Sequence, residues 1–201
     1  MAQPLDLGTE TLNQIEKKFG SAVRQRILAF KHLIDTESAV PDLEKLQKVN
    51  DFFNQHSAFI DDTILWNTND YWATPFEFLL KGAGDCEDYS ISKYFTLIEM
   101  GIDESKLRIT YVTAVKLNQA HMVLTYYESP RAIPLVLDNL ETQIKPATER
   151  NDLLPVYSFN GNNLWLAKNK ASGNPEGSSN RLSLWQDLKQ RIMEDCQTEC
   201  F

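Results

Sequence analysis

Gly82-Ala83-Gly84-Asp85-Cys86-Glu87-Asp88-Tyr89 is the stretch whose reading decides how this chain folds. Just before it, Thr74-Pro75-Phe76-Glu77 has the form of a capping box with Pro at the first helical position. A short helix is therefore expected to begin there, bury Phe78 and Leu79, and stop at Gly82. Gly84 is read as freeing the chain to turn. Asp85 is a good N-cap for a second helix, whose apolar residues Ile91, Tyr94, Phe95 and Ile98 recur at helical spacing until Gly101. Cys86 then falls in the first helical turn, where unpaired N–H groups favour a thiolate and suit an oxyanion.

After this helix the apolar period changes to two. Leu107, Ile109, Tyr111, Thr113, Val115 and Leu117 alternate with polar or small neighbours, which predicts a strand ending near Asn118-Gln119. Two more strands, about 121 to 127 and 133 to 138, flank a turn at Glu128-Ser129-Pro130-Arg131. Centred there, an antiparallel hairpin pairs positions summing to 259 or 260, which sets Asp138 opposite His121 or Met122. A one-residue slip puts Asp138 on the other face, and Asn139 then becomes the natural partner of the imidazole. A nucleophilic thiol needs a base for its proton and a third group to fix the base's tautomer. Cys86, His121 and Asp138 supply these in order, as a candidate hydrolase triad.

Tyr71-Trp72-Ala73-Thr74-Pro75 through Tyr89, with His121-Met122-Val123-Leu124 and Leu137-Asp138-Asn139, resembles the bacterial transglutaminase-like cysteine proteinases over about residues 60 to 165. The resemblance implies an α+β fold: a papain-like, transglutaminase-like core with an N-terminal helical region packed on an antiparallel sheet. It implies Cys86 as nucleophile, His121 as general base and Asp138 as orienting acid. It also implies a protein substrate, the N-terminal region of a large surface adhesin cut at a paired-alanine site so that the biofilm disperses. The same resemblance brings a periplasmic location and inhibition by an inner-membrane receptor for cyclic di-GMP.

Calcium is implied too, and electrostatics argues for a cation independently. Asp85, Glu87 and Asp88 crowd the nucleophile. A carboxylate about 6 Å away disfavours a thiolate by about 2 to 3 kcal/mol at an effective dielectric near 20, whereas a helix N-terminus returns about 0.3 to 1 kcal/mol. A cation bound by these acids, or a protonated His121, reverses the local field, and hard oxygen ligands select calcium. Asp85, Glu87 and Asp88 are the expected metal ligands, although the motif is not an EF-hand loop.

Each reading has a plainer competitor. A lone Cys is often a small buried hydrophobe, His121 alone reads as a strand-end histidine, and the acids alone read as helix capping. Trp66 and Trp72 serve equally as cleft wall or core. Transfer to an amine shares the acylation step with hydrolysis, so a transglutaminase-type acyl transferase stays open, as does a non-catalytic binding module on the same fold.

Across the rest of the chain, 201 residues with 42% hydrophobic content suffice for one core, so a single domain is expected. A net charge of −8 and the lack of a basic stripe argue against a nucleic-acid partner. No apolar run is long enough to span a bilayer. The charged first thirty residues are no signal peptide, so Met1 suits either a cytoplasmic start or a chain trimmed of its export signal. Three helical stripes precede the core within about residues 7 to 60: Leu12, Ile15 and Phe19; Val23, Ile27, Phe30 and Ile34; Leu43, Leu46, Val49 and Phe53. The catalytic core is expected over about 61 to 166, with an Asn160-Gly161 hairpin, then a mobile loop over about 168 to 180. A last helix, about 182 to 197, carries Trp185, Leu188 and Ile192. Three cysteines leave one unpaired: Cys86, if Cys196 and Cys200 pair in an oxidising compartment.

Overall fold

The computed structural model describes residues 8 to 167 and 177 to 198, with side chains through Glu194. Three helices, α1 (Thr9–Phe19), α2 (Ser21–Glu37) and α3 (Asp42–His56), lead into a two-residue strand β1 (Ala58–Phe59), a single turn α4 (Asp62–Leu65) and α5 (Pro75–Lys81). Then come β2 (Ala83–Gly84) and α6 (Cys86–Glu99). The strands β3 (Leu107–Ala114), β4 (Gln119–Tyr126), β5 (Leu135–Leu137), β6 (Lys145–Pro146), β7 (Leu153–Phe159), β8 (Asn163–Leu166) and β9 (Gly177–Ser178) follow, and α7 (Ser183–Thr198) comes last. Strands β3 to β9 form an antiparallel sheet in the order β6-β5-β4-β3-β7-β8-β9. No described helix is long and apolar enough to cross a membrane.

The main core lies between α6 and one face of the sheet. Ile91, Tyr94 and Leu97 on α6 meet Leu107, Ile109, Leu124, Leu137 and Phe159, all fully buried. Alternation along β3 and β4 sends Val112 and Val123 to the opposite face, where they join Val136 under Ala147 and Leu153. Trp185 of α7 is completely buried among Trp72, Tyr94, Phe95 and Phe159, with ring centroids 5.1 to 6.5 Å apart. The last helix thus completes the aromatic core. Trp72 belongs to that core and also borders the cleft described below.

Two of the expected stripes lose a member. Phe19 ends α1 and is exposed, with Lys18 over its ring at 5.1 Å. Leu43 is 62% exposed, because α3 buries Lys45, Leu46, Val49, Asn50, Phe52 and Phe53. At about 100° per residue, Leu43 falls on the flank of that face. The strand expected to reach Leu117 stops at Ala114. Residues 115 to 118 make the turn into β4, with Asn118 at φ +50° and both Val115 and Leu117 exposed.

The Asn160-Gly161 hairpin joins β7 to β8. Of the stretch expected to be a mobile loop, 168 to 176 lie outside the described residues, while 177–178 form an edge strand and Ser179–Arg181 a 3-10 turn. The side chain of Cys196 and all of Cys200 lie outside the described residues, and with them the question of their pairing.

Candidate active site

Helix α6 starts at Cys86 because several local constraints converge just before it. Thr74 and Glu77 form the reciprocal capping box of α5, and Gly82 ends that helix in the left-handed region at φ +61°. β2 then pairs in parallel with β1, through Ala58 N–H to Gly82 O at 2.9 Å and Ile60 N–H to Gly84 O at 3.0 Å.

Gly84 is required for space and not for a turn. Its φ is not positive, but a Cβ there would lie 2.2 Å from Asp88 Oδ2 and 2.8 Å from the Phe78 ring. Asp88 is fully buried and spends its two oxygens on backbone: Oδ1 accepts from Ala73 N–H at 2.8 Å and Oδ2 from Asp85 N–H at 3.3 Å. The acid locks the segment before the helix onto the helix itself.

Cys86 borders a cleft of about 610 Å3, together with His121, Met122, Trp72, Tyr111 and Tyr157. The rings of Tyr111 and Tyr157 stack at 5.1 Å, 4° from parallel, in neighbouring strands. The thiol donates to Glu87 Oε2 at 3.1 Å. Burial pushes the thiol's pKa up, and the charges of Glu87 and Asp85 push it further, against the Met122 backbone amide. Burial is the larger cause and the neighbouring charges, which the sequence made legible, act in the same direction.

His121 sits near the start of β4, 3% exposed, with Nε2 2.8 Å from Asp138 Oδ1. The acid therefore occupies Nε2, and Nδ1 is the ring nitrogen left for a thiol. Asp138 follows the last residue of β5. Its Oδ1 also accepts from Asn139 N–H at 2.7 Å and Leu140 N–H at 3.0 Å, while Oδ2 accepts from Arg150 Nη2 at 2.7 Å. Burial alone would raise its pKa, but the hydrogen bonds and charges of His121 and Arg150 win and hold it down at about 2. The Asp138 carbonyl accepts from Lys93 Nζ at 3.1 Å and Asn54 Nδ2 at 2.9 Å. Lys93 is 1% exposed, and burial lowers its pKa to about 7.

The register that brings His121 to Asp138 is not the expected one. β4 and β5 pair with positions summing to 261, as in Leu124↔Leu137, because the turn spans Ser129 to Ala132 (N–H to O 3.0 Å) with Pro130 second. Asp138 is thus in line with Val123, two residues from His121 and on the same face, and the two side chains meet diagonally. Asn139 Oδ1 is buried without a hydrogen-bond partner, so the amide does not replace the acid.

The acids beside Cys86 form a larger group than the sequence motif shows. Asp62, Asp70 and Glu87 bring oxygens within 4.8 Å of one another, and so do Asp62, Asp85 and Asp88. Burial raises the pKa of Asp62, Glu87 and Asp88. Asp85 reaches about 9, by burial first and then the charge of Glu87. Asp62 Oδ1 and Asp85 Oδ1 are buried with no hydrogen-bond partner. Hard, crowded, unsatisfied oxygens are a donor set for a divalent cation of the calcium type. Asp88, with both oxygens already engaged, is the poorest donor among them.

The model for the bacterial transglutaminase-like cysteine proteinases matches residues 29–167. This chain belongs to that family. Legionella pneumophila LapG is 44% identical to it, over 91% of this chain and 96% of LapG, with a TM-score of 0.78. The calcium-bound LapG structure superposes with a TM-score of 0.77 over 98% of that chain, and the EGTA-treated one with 0.80 over 96%. No curated protein matches.

Within this transglutaminase-like proteinase, Asp62, Asp70, Arg150, Lys93 and Asn54 are site residues that sequence reasoning missed. The two acids had a faint signal in the Asp- and Asn-rich stretches Asp61-Asp62 and Asn67-Thr68-Asn69-Asp70. Arg150, Lys93 and Asn54 had none, because each is a single polar residue inside an ordinary element or turn.

Proposed function

We propose that this proteinase is a calcium-dependent cysteine endopeptidase with Cys86 as nucleophile, His121 as general base and Asp138 as the acid that orients the base. The observation that carries the reading is the His121 Nε2–Asp138 Oδ1 contact of 2.8 Å in a cleft that Cys86 also borders. In the reaction, His121 Nδ1 takes the proton of the Cys86 thiol and the sulfur attacks the scissile carbonyl carbon. The first turn of α6 lies where oxyanion charge develops. His121 then returns the proton to the leaving amine, and water releases the acyl group by the same route in reverse. Throughout, Asp138 keeps the ring in one tautomer and stabilises the imidazolium.

Asp85, Glu87, Asp62 and Asp70 are the residues that would hold calcium, with Asp88 supporting them from behind. The two unsatisfied oxygens of Asp62 and Asp85 fit that assignment. Bound there, calcium supplies positive charge beside the sulfur and offsets the carboxylates that otherwise disfavour the thiolate.

The finer reading follows the family resemblance and the 44% identity with LapG. The substrate is the N-terminal region of a large surface adhesin, cut at a paired-alanine site in the periplasm. The adhesin is thereby released and the biofilm disperses, and an inner-membrane cyclic-di-GMP receptor sequesters the enzyme. The test is incubation with an adhesin N-terminal fragment beside Cys86→Ala. Cleavage by the native protein alone supports proteolysis, isopeptide products indicate acyl transfer, and binding without turnover indicates a binding module.

A further inference from the structure

Arg150 is an almost fully buried guanidinium in the turn before β7. Its Nη2 donates to Asp138 Oδ2 at 2.7 Å, and Nε and Nη2 donate to Asp152 at 3.0 and 2.8 Å. We propose that Arg150 is a positioning residue for the reaction, clamping Asp138 Oδ2 so that Oδ1 stays on His121 Nε2. The proposal rests on the triad reading above.

A carboxylate is free to rotate about its Cβ–Cγ bond unless both oxygens are engaged. On Asp138 the three contacts to His121, Asn139 and Leu140 all fall on Oδ1. Among the described residues, the only side-chain hydrogen bond to Oδ2 comes from Arg150. Lys93 and Asn54 hold the backbone carbonyl and cannot substitute for it. Without Arg150, a buried carboxylate oxygen is left unpaired, which favours rotation or protonation of the group, and a protonated acid cannot stabilise an imidazolium.

Asp152, partly exposed, fixes the guanidinium in turn, so a line of contacts runs from the surface through Asp152, Arg150 and Asp138 to His121. The planar fork spans two carboxylates at once, a geometry that a lysine ammonium does not reproduce.

A double-mutant cycle tests this, with kcat and KM measured on the adhesin N-terminal fragment and, independently of any protein substrate, the rate of Cys86 alkylation by iodoacetamide. Arg150→Gln is expected to lower kcat by about 10- to 100-fold, the range that partners holding a functional histidine command, with KM changed by less than about twofold. Arg150→Lys should recover part of that loss. In an Asp138→Asn background, Arg150→Gln should cost less than about threefold more, because it acts through the acid.

Equal losses in both backgrounds, or a change confined to KM, overturn the proposal. If Arg150→Gln does not fold, Arg150→Lys carries the same cycle, and additive losses there also overturn it. Full activity in Asp138→Asn alone removes the triad reading and this proposal together. Additive losses with an impaired Asp138→Asn remove this proposal only.

Discussion

His121 and Asp138 are both buried, so the hydrogen bond between them cannot be exchanged for water without cost. His121→Ala should abolish turnover in a cleavage assay, while a His121 variant of undiminished rate would exclude it as the base. Asp138→Asn should be severe but leaky, with kcat lower by up to about 10^4-fold, since the role proposed for the acid is to orient a tautomer and not to react. The positions of these two residues were legible in the sequence because hairpin parity restricts which residues share a face. The register itself was shifted to a sum of 261, through placement of Pro130, and of the two expected sums only 259 shares its parity and keeps both residues on one face. Arg150 was not legible, because a single arginine in a turn carries no periodic signal and its partner lies twelve residues away.

Among the elements, the N-terminus of α6 has the narrowest tolerance. Gly84→Ala drives a methyl group into Asp88 and Phe78, both fully buried, and should displace Asp88 from Ala73 and Asp85. A melting-temperature loss larger than that of Thr74→Ala is the expected outcome, against the cap deletion's cost of about 1 kcal/mol. Equal melting curves would mean that the backbone moves aside. The capping box of α5, the left-handed Gly82 and the start of α6 were readable because local chemistry dictates them. The reason for Gly84 was not readable, because it is a contact with the following turn of helix and leaves no mark in the local sequence pattern.

At the scale of the whole molecule, the acid cluster around Cys86 lies where burial opposes its charge. Asp62, Asp85, Glu87 and Asp88 have raised folded-state pKa values, reaching about 9 at Asp85. Between the ordinary carboxylate range and those values the folded chain holds more protons than the unfolded one, so this cluster costs stability as pH rises. Asp138, held at about 2, acts oppositely: its contribution is present above about pH 4 and is lost as pH falls toward 2.

Under the proposed calcium assignment, the ion competes with the cluster's protons. The increment in melting temperature on adding calcium should therefore grow from pH 5 to pH 8, and the stabilisation behind it should amount to about 2.7 kcal/mol at a calcium concentration of about 100 times Kd. A pH-independent or absent increment would show that the cluster takes no ion. Trp185→Ala should cost about 3 to 5 kcal/mol in denaturant unfolding, because the ring joins α7 to the sheet and α6. A loss below about 1 kcal/mol would mean that α7 contributes little to the core. The helical stripes and the strands followed from periodicity, whereas the layering of helices on an antiparallel sheet was implied by the family resemblance. The meeting of Asp62 and Asp70 with the Cys86 turn did not, since only tertiary packing brings the segment before Trp72 onto α6.

The most direct test of the proposed function is to incubate the protein with an adhesin N-terminal fragment in calcium, in EGTA, and after calcium is restored, with Cys86→Ala alongside, and to follow the rate of cleavage. The expected result is cleavage that falls by at least about tenfold in the chelator, returns with calcium and never occurs in the variant. Cleavage by Cys86→Ala, or a rate untouched by EGTA, would contradict a calcium-assisted Cys86 thiolate.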